Sequence, residues 1–228
     1  MKKLFFFIFL SFISSCKKDH HSNNDNIVET IGSESVKTIK LKKETITFQS
    51  DTNWQEKFVL SHDIDKDSIW NKPIRFYIDN PKCDKIATNF YFGSFRPSDN
   101  LQTAKLLNLV ITDNSDLRPF YRWILDKTIL IQDGALGEYT GVPARKYTEK
   151  FPNEFFEFID SDKTGEVYEN WYNSILYSGF YFHDDFDKPE IVRENFAKTM
   201  KSNCKNCNET MNKRINKFAL DCFPNLEK

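Results

Sequence analysis

The chain has 228 residues, with 32 Lys and Arg against 33 Asp and Glu and a formal charge of −1. So even a balance lacks the basic excess that holds phosphate backbones or anionic lipid headgroups, and nucleic acid is not expected as a partner. Rings are plentiful, 22 Phe among them, and glycines number only seven, so the composition favours an aromatic core over a hairpin-rich sandwich or barrel.

At the N-terminus Lys2 and Lys3 precede an uncharged run from Leu4 to Ile13, followed by Ser14, Ser15 and Cys16. A positive start, a short apolar stretch and small residues form the tripartite order of an export signal. Crossing a bilayer core takes about 20 apolar residues, because each rises only about 1.5 Å. This run is far shorter and the polar Lys17 to Asn24 follow at once, so it does not span.

The motif Ile13-Ser14-Ser15-Cys16 resembles the lipobox of bacterial lipoproteins. The resemblance covers the signal alone. It implies a diacylglyceryl group on the Cys16 sulfur, cleavage before Cys16 and acylation of the new amine. More than one acyl chain is what makes such attachment durable. Lys17-Lys18-Asp19 resembles the basic-then-acidic tags of lipoproteins sent to the outer surface. The expected location is therefore the cell envelope, at an outer membrane, facing the periplasm or the cell surface. Residues 1–15 are read as signal, 16–35 as a lipidated, polar tether that holds His20 and His21, and 36–228 as a single domain.

The domain opens on Val36 to Phe48, where Ile39, Leu41, Ile46 and Phe48 alternate around Lys42-Lys43-Glu44, as a short hairpin or extended lead-in does. Beyond position 50 the apolar spacing turns helical. Cys83, Ile86, Ala87 and Phe90 make one stripe, and Leu101, Ala104, Leu107, Val110 and Ile111 the next. Leu117, Phe120, Tyr121, Ile124, Leu125 and Thr128 make the clearest, with Arg118, Arg122 and Asp126 read as facing away from it. Val167, Trp171 and Ile175 follow, with Tyr168 and Tyr172, then Met211, Ile215, Phe218 and Cys222. Pro81, Pro119, Pro143, Pro152 and Pro189 lie near helix starts, where a missing N–H costs little. Asn53-x-x-Glu56 and Asp187-x-x-Glu190 have the form of reciprocal caps.

These signals predict an all-α domain of roughly nine or ten short helices in antiparallel pairs, within the ordinary range of helix lengths. Helix pairs on short connections resemble the stacking of HEAT-like α-solenoids, although no motif repeats at a fixed period. A compact irregular bundle is the competing architecture.

Asp160-Ser-Asp162-Lys-Thr164-Gly165-Glu166-Val167 resembles an EF-hand calcium loop, with oxygens at the first, third and fifth positions and glycine at the sixth. The resemblance implies calcium held by Asp160, Asp162, Thr164 and Glu166. It fails at the twelfth position, which is Trp171 instead of a bidentate acid. The alternative is a polar turn with Thr164 or Asp162 capping the next helix.

With Cys16 given to lipid, Cys83, Cys204, Cys207 and Cys222 remain. A Cys204–Cys207 loop disulfide is the expected pairing, because Cys222 lies at the far end of the next helix, about 20 Å away at 1.5 Å per residue. Unpaired thiols are the second reading; zinc would need two further ligands, for which only His62 and His183 stand outside the tether, and a redox motif lacks its strand.

His183-Asp184-Asp185-Phe-Asp187 reads as a solvated helix entry, with an acid–base site as the sharper alternative. Asp133 to Gly141 holds three glycines without the context of a phosphate loop and reads as an irregular connection, the likeliest concave or mobile place. No nucleophile elbow and no zinc-protease motif occurs. The expectation is a membrane-anchored, non-catalytic module that binds another protein, of immunity or scaffold type and without a cofactor unless calcium. The alternative is an envelope hydrolase using His183 with Asp184, Asp185 and Asp187.

Overall fold

Alternating small hydrogen-bonding residues and aromatic stripes set the start and the buried face of each helix. A computed structural model describes residues 67–225. The signal, Cys16, the tether, the segment 36–48, the Asn53-x-x-Glu56 pattern and His62 lie outside the described residues.

The described chain starts in a hairpin that the sequence did not announce: β1 (Ser68–Ile69) pairs antiparallel with β2 (Lys72–Pro73), Ile69 facing Lys72. Its two turn residues, Trp70 and Asn71, have φ of 51° and 60°. Two positive φ values match the twist of a two-residue hairpin, but a bulky residue pays steric strain there.

Helices follow as α1 (Ile74–Ile78), α2 (Lys85–Tyr91), α3 (Leu101–Asn108), α4 (Arg118–Ile131), α5 (Gly134–Gly137), α6 (Gly141–Lys150), α7 (Pro152–Ser161), α8 (Glu166–Ser178), α9 (Pro189–Asn203) and α10 (Glu209–Cys222). Among the described residues the fold is all-α apart from the small hairpin. Asp84, Asn100, Asp133 and Asn208 each accept a hydrogen bond from a backbone N–H of the first turn of α2, α3, α5 and α10, satisfying a donor the helix leaves free. Proline stands in the first turn of α4, α7 and α9. The reciprocal cap at Asp187 and Glu190 is not formed: α9 is entered from Lys188, with no side chain on its free N–H groups. Pro189 supplies the entry instead, since its ring presets the helical φ and leaves one donor fewer to satisfy.

Packing runs between helices that are not sequence neighbours. α6 lies against α8 and α9, α10 against α8, and α4 against α8, while α9 and α10 pack as consecutive neighbours. That is the irregular of the two expected architectures, because a solenoid's helix pairs touch only the next pair. Rings fill the centre: Phe155 sits 4.7 Å from Phe218 and 5.5 Å from Trp171, centroid to centroid. All three are fully buried, and each such ring contributes roughly 1.5–3 kcal/mol of transfer free energy. α6 approaches α8 so closely that a Cβ on Gly141 would lie 2.5 Å from Gly179 N and Ser174 O.

One residue of a stripe departs from expectation. Leu101 is 86 % exposed, whereas Leu107 and Val110 of the same stripe are buried as read, and α3 also buries Thr103 and Leu106. Asn100 places Leu101 in the first turn, clear of the core, and the 3₁₀ turn Leu109–Ile111 then tightens the helix and swings Val110 inward. Arg118, Arg122 and Asp126 are buried, at 5 %, 3 % and 8 % exposure, so α4 is enclosed on its polar side as well.

Among the described residues no helix is long and apolar enough to cross a membrane.

Candidate functional site

The loop between α8 and α9 carries the residues that sequence reasoning named for acid–base chemistry, and the structure separates them. His183 is exposed, its ring 5.6 Å from that of Tyr181. Asp185 pairs with Lys188 at the surface, and Asp187 is exposed. Asp184 alone turns inward, where its Oδ2 accepts from Arg145 Nη1 and from the Tyr181 backbone N–H.

Arg145 organises this corner. From α6 its Nε donates to Glu149 Oε1 at 2.9 Å, and Nη1 donates to Gly179 O at 2.9 Å as well as to Asp184. Its guanidinium lies 3.9 Å from the centre of the Tyr181 ring. The Tyr181 hydroxyl donates to Glu149 Oε2 at 2.6 Å. Burial, reinforced by that carboxylate, pushes the Tyr181 phenol far above its usual range. One buried cation thus faces two carboxylates; Glu149 Oε2 takes the Tyr181 hydroxyl, and Asp184 Oδ2 is shared between Arg145 and the Tyr181 N–H. A cleft of about 380 Å³ opens beside them, lined also by Asn195, Lys198 and Thr199. The arrangement locks the loop against α6. Oδ2 of Asp184 is thereby committed to holding the loop on Arg145.

The same loop displays rings outward. Phe182 is fully exposed and Phe186 is 59 % exposed, the latter resting on Phe180 at 4.8 Å.

The Asp160–Glu166 segment forms a helix–helix turn in which the Asp160 and Asp162 carboxylates already have protein partners. Asp160 is clasped by Arg214 through both oxygens. Asp162 Oδ1 accepts from the Thr164 N–H and hydroxyl, and Oδ2 from the Val167 N–H at 3.0 Å. These bonds hold the Asp162 carboxyl below the usual carboxylate range. The Glu166 N–H donates to Thr164 Oγ1. Gly165, at φ 81°, makes the reversal into α8. Trp171, at the failed twelfth position, is buried and donates to Asp126. No three His, Cys, Asp or Glu side chains converge as a metal cluster among the described residues.

Cys204 and Cys207 meet in the turn between α9 and α10, Cα atoms 5.7 Å apart and the sulfurs in bonding contact, while Cys83 and Cys222 are unpaired. The turn is docked on α7: Asn153 donates to Lys205 O and accepts from Lys205 N–H. The glycine-bearing stretch is more ordered than expected, because Asp133 caps the single turn of α5, and Gly137 is buried under Tyr177.

What sequence reasoning missed is a set of buried arginines. Arg118 clasps Glu154 with Nε and Nη2, gives Nη1 to Thr112 O, and lies 3.8 Å over Phe151. Arg122 lies 4.4 Å from the centres of both Trp70 and Phe158. A signal was present: Arg118, Arg122 and Asp126 recur every fourth residue, one straight stripe beside the apolar one.

No family model, curated protein or solved structure matches this chain.

Proposed function

We propose that the chain is a lipid-anchored cell-envelope module that binds another protein without catalysis, in an immunity or scaffold role. The observation that carries the reading is the α8–α9 loop, where two phenylalanines are held in solvent by a buried salt-bridged arginine. Exposed rings on a fixed backbone suit recognition, because little ordering entropy remains to be lost on binding. The anchor at Cys16 rests on the short leader and its lipobox-like end. Calcium has no part in the reading, because Asp160 and Asp162 already serve Arg214 and the start of α8. A hydrolytic alternative keeps one supporting observation, that His183 lines a cleft beside Asp184.

Photo-crosslinking from position 182, in the full anchored chain within its own envelope, tests the proposal. One protein crosslinked in near-stoichiometric yield, and lost when the label is moved to exposed Lys198, is the expected result. Absence of any crosslink, together with turnover in a hydrolase screen that His183→Ala abolishes, would favour the enzyme. Intact mass of the mature protein checks the anchor: it should begin at Cys16 and carry added acyl mass.

A further inference from the structure

The guanidinium of Arg122 is buried at 3 % exposure, yet no carboxylate of the described residues pairs with it. Nη1 donates to Tyr147 Oη at 3.2 Å and, more loosely, to Glu154 O at 3.4 Å. Nε has no partner, and Nη2 donates to no described residue. The rings of Trp70 and Phe158 lie against the group, each 4.4 Å from its carbon, centre to atom. Only its Nε–Nη2 edge is left. One helical turn earlier Arg118 uses that same edge to hold both oxygens of Glu154. Beside Arg122, the Trp123 indole N–H is likewise buried without a partner. The three rings, Arg122 and the Ser68 and Ser161 residues line a cleft of about 150 Å³.

A buried cation without a counter-charge is costly, and a flat fork bordered by rings is the geometry that grips a carboxylate. We propose that this cleft binds a carboxylate ligand, clasped by the Nε–Nη2 edge of Arg122 and assisted by the Trp123 indole N–H. One arginine balances the single charge of a carboxylate; a phosphate dianion would leave charge uncompensated in a ring-lined cleft. Trp70 is the wall that yields, being 40 % exposed on a strained two-residue turn. Two sources fit: a small organic acid, or the free terminus of a peptide. The inference goes beyond the protein-binding reading and stands without it.

The test uses the full mature chain in detergent micelles, titrated with acetate, benzoate, tri-alanine and inorganic phosphate. Benzamide and amidated tri-alanine serve as neutral counterparts. The signals are tryptophan fluorescence and the resonances of Arg122 Nε–H and Trp123 Nε1–H. At least one carboxylate should saturate at roughly millimolar concentration and bind about tenfold or more tightly than its amide, as a charge-assisted fork requires. Tri-alanine ahead of the small acids assigns a peptide terminus; the reverse order assigns a small acid. Both support the proposal. Arg122→Lys keeps the charge but loses the fork, so binding should fall about tenfold or more. If that variant does not fold, the wild-type resonances decide alone. Equal responses to acid and amide, shifts that never saturate, preference for phosphate, or undiminished binding in folded Arg122→Lys would each overturn the assignment.

Discussion

Arg145 fixes the position of a loop whose contacts lie more than 30 residues away in sequence. Its side chain is 3 % exposed, against 12 % for Glu149 and 6 % for Asp184. Removing it strands two carboxylates in a closed corner, so Arg145→Ala should cost about 3–5 kcal/mol, the range for breaking a buried pair. Arg118→Ala should cost less, about 1–3 kcal/mol, because Glu154 is 37 % exposed and regains water. Urea denaturation of both variants checks the order, and equal losses would contradict it. Of this, only the straight Arg118–Arg122–Asp126 stripe left a trace in the sequence. Apolar periodicity treats arginine as solvated; Glu149 is a local i,i+4 partner of Arg145, but Gly179 and Asp184 come from the α8–α9 loop, and Glu154, which Arg118 holds, from α7, at separations no local pattern reports. His183 and its neighbouring aspartates were legible as residues, but not their divergence, which depends on Asp184 being drawn inward.

At the level of elements the stripes of α4, α8 and α10 were readable, because each pairs an apolar face with a clear start. The stripe of α3 held at Leu107 and Val110 but not at Leu101, which the first turn of the helix leaves in solvent. The hairpin at Trp70 was hidden: tryptophan is a poor marker of positive φ. The start of α8 shows local chemistry deciding an element. Asp162 holds two backbone N–H groups and the Thr164 hydroxyl, and Asp162→Ala should cost about 1 kcal/mol at neutral pH, the usual worth of such a bond at a helix start. Its carboxyl is held below the ordinary value, so this stabilisation is complete above that value and is lost as pH falls through the lower, folded one. Melting curves should therefore show a gap between wild type and variant that is full at pH 7 and closes below about pH 4. A gap independent of pH would mean the contribution is not from the ionised carboxylate.

Over the whole molecule, helical class and aromatic core followed from composition and spacing, whereas the order of packing did not. Which helix lies on which depends on close approaches such as Gly141 against Gly179, and a single sequence carries no record of them. Cysteine state is a property at this scale, because it joins the compartment to the fold. Apart from Cys16, alkylation of the denatured, unreduced chain should modify Cys83 and Cys222 alone, and reduction should expose two further thiols, Cys204 and Cys207. Four adducts before reduction would mean an open turn. Cys222 itself has 0 % exposure, and burial lifts its thiol well above the usual value. No reagent reaches that sulfur until the final helix detaches from the bundle. Its slow labelling in native buffer is thus a stopwatch for how often the protein opens, needing no engineered probe.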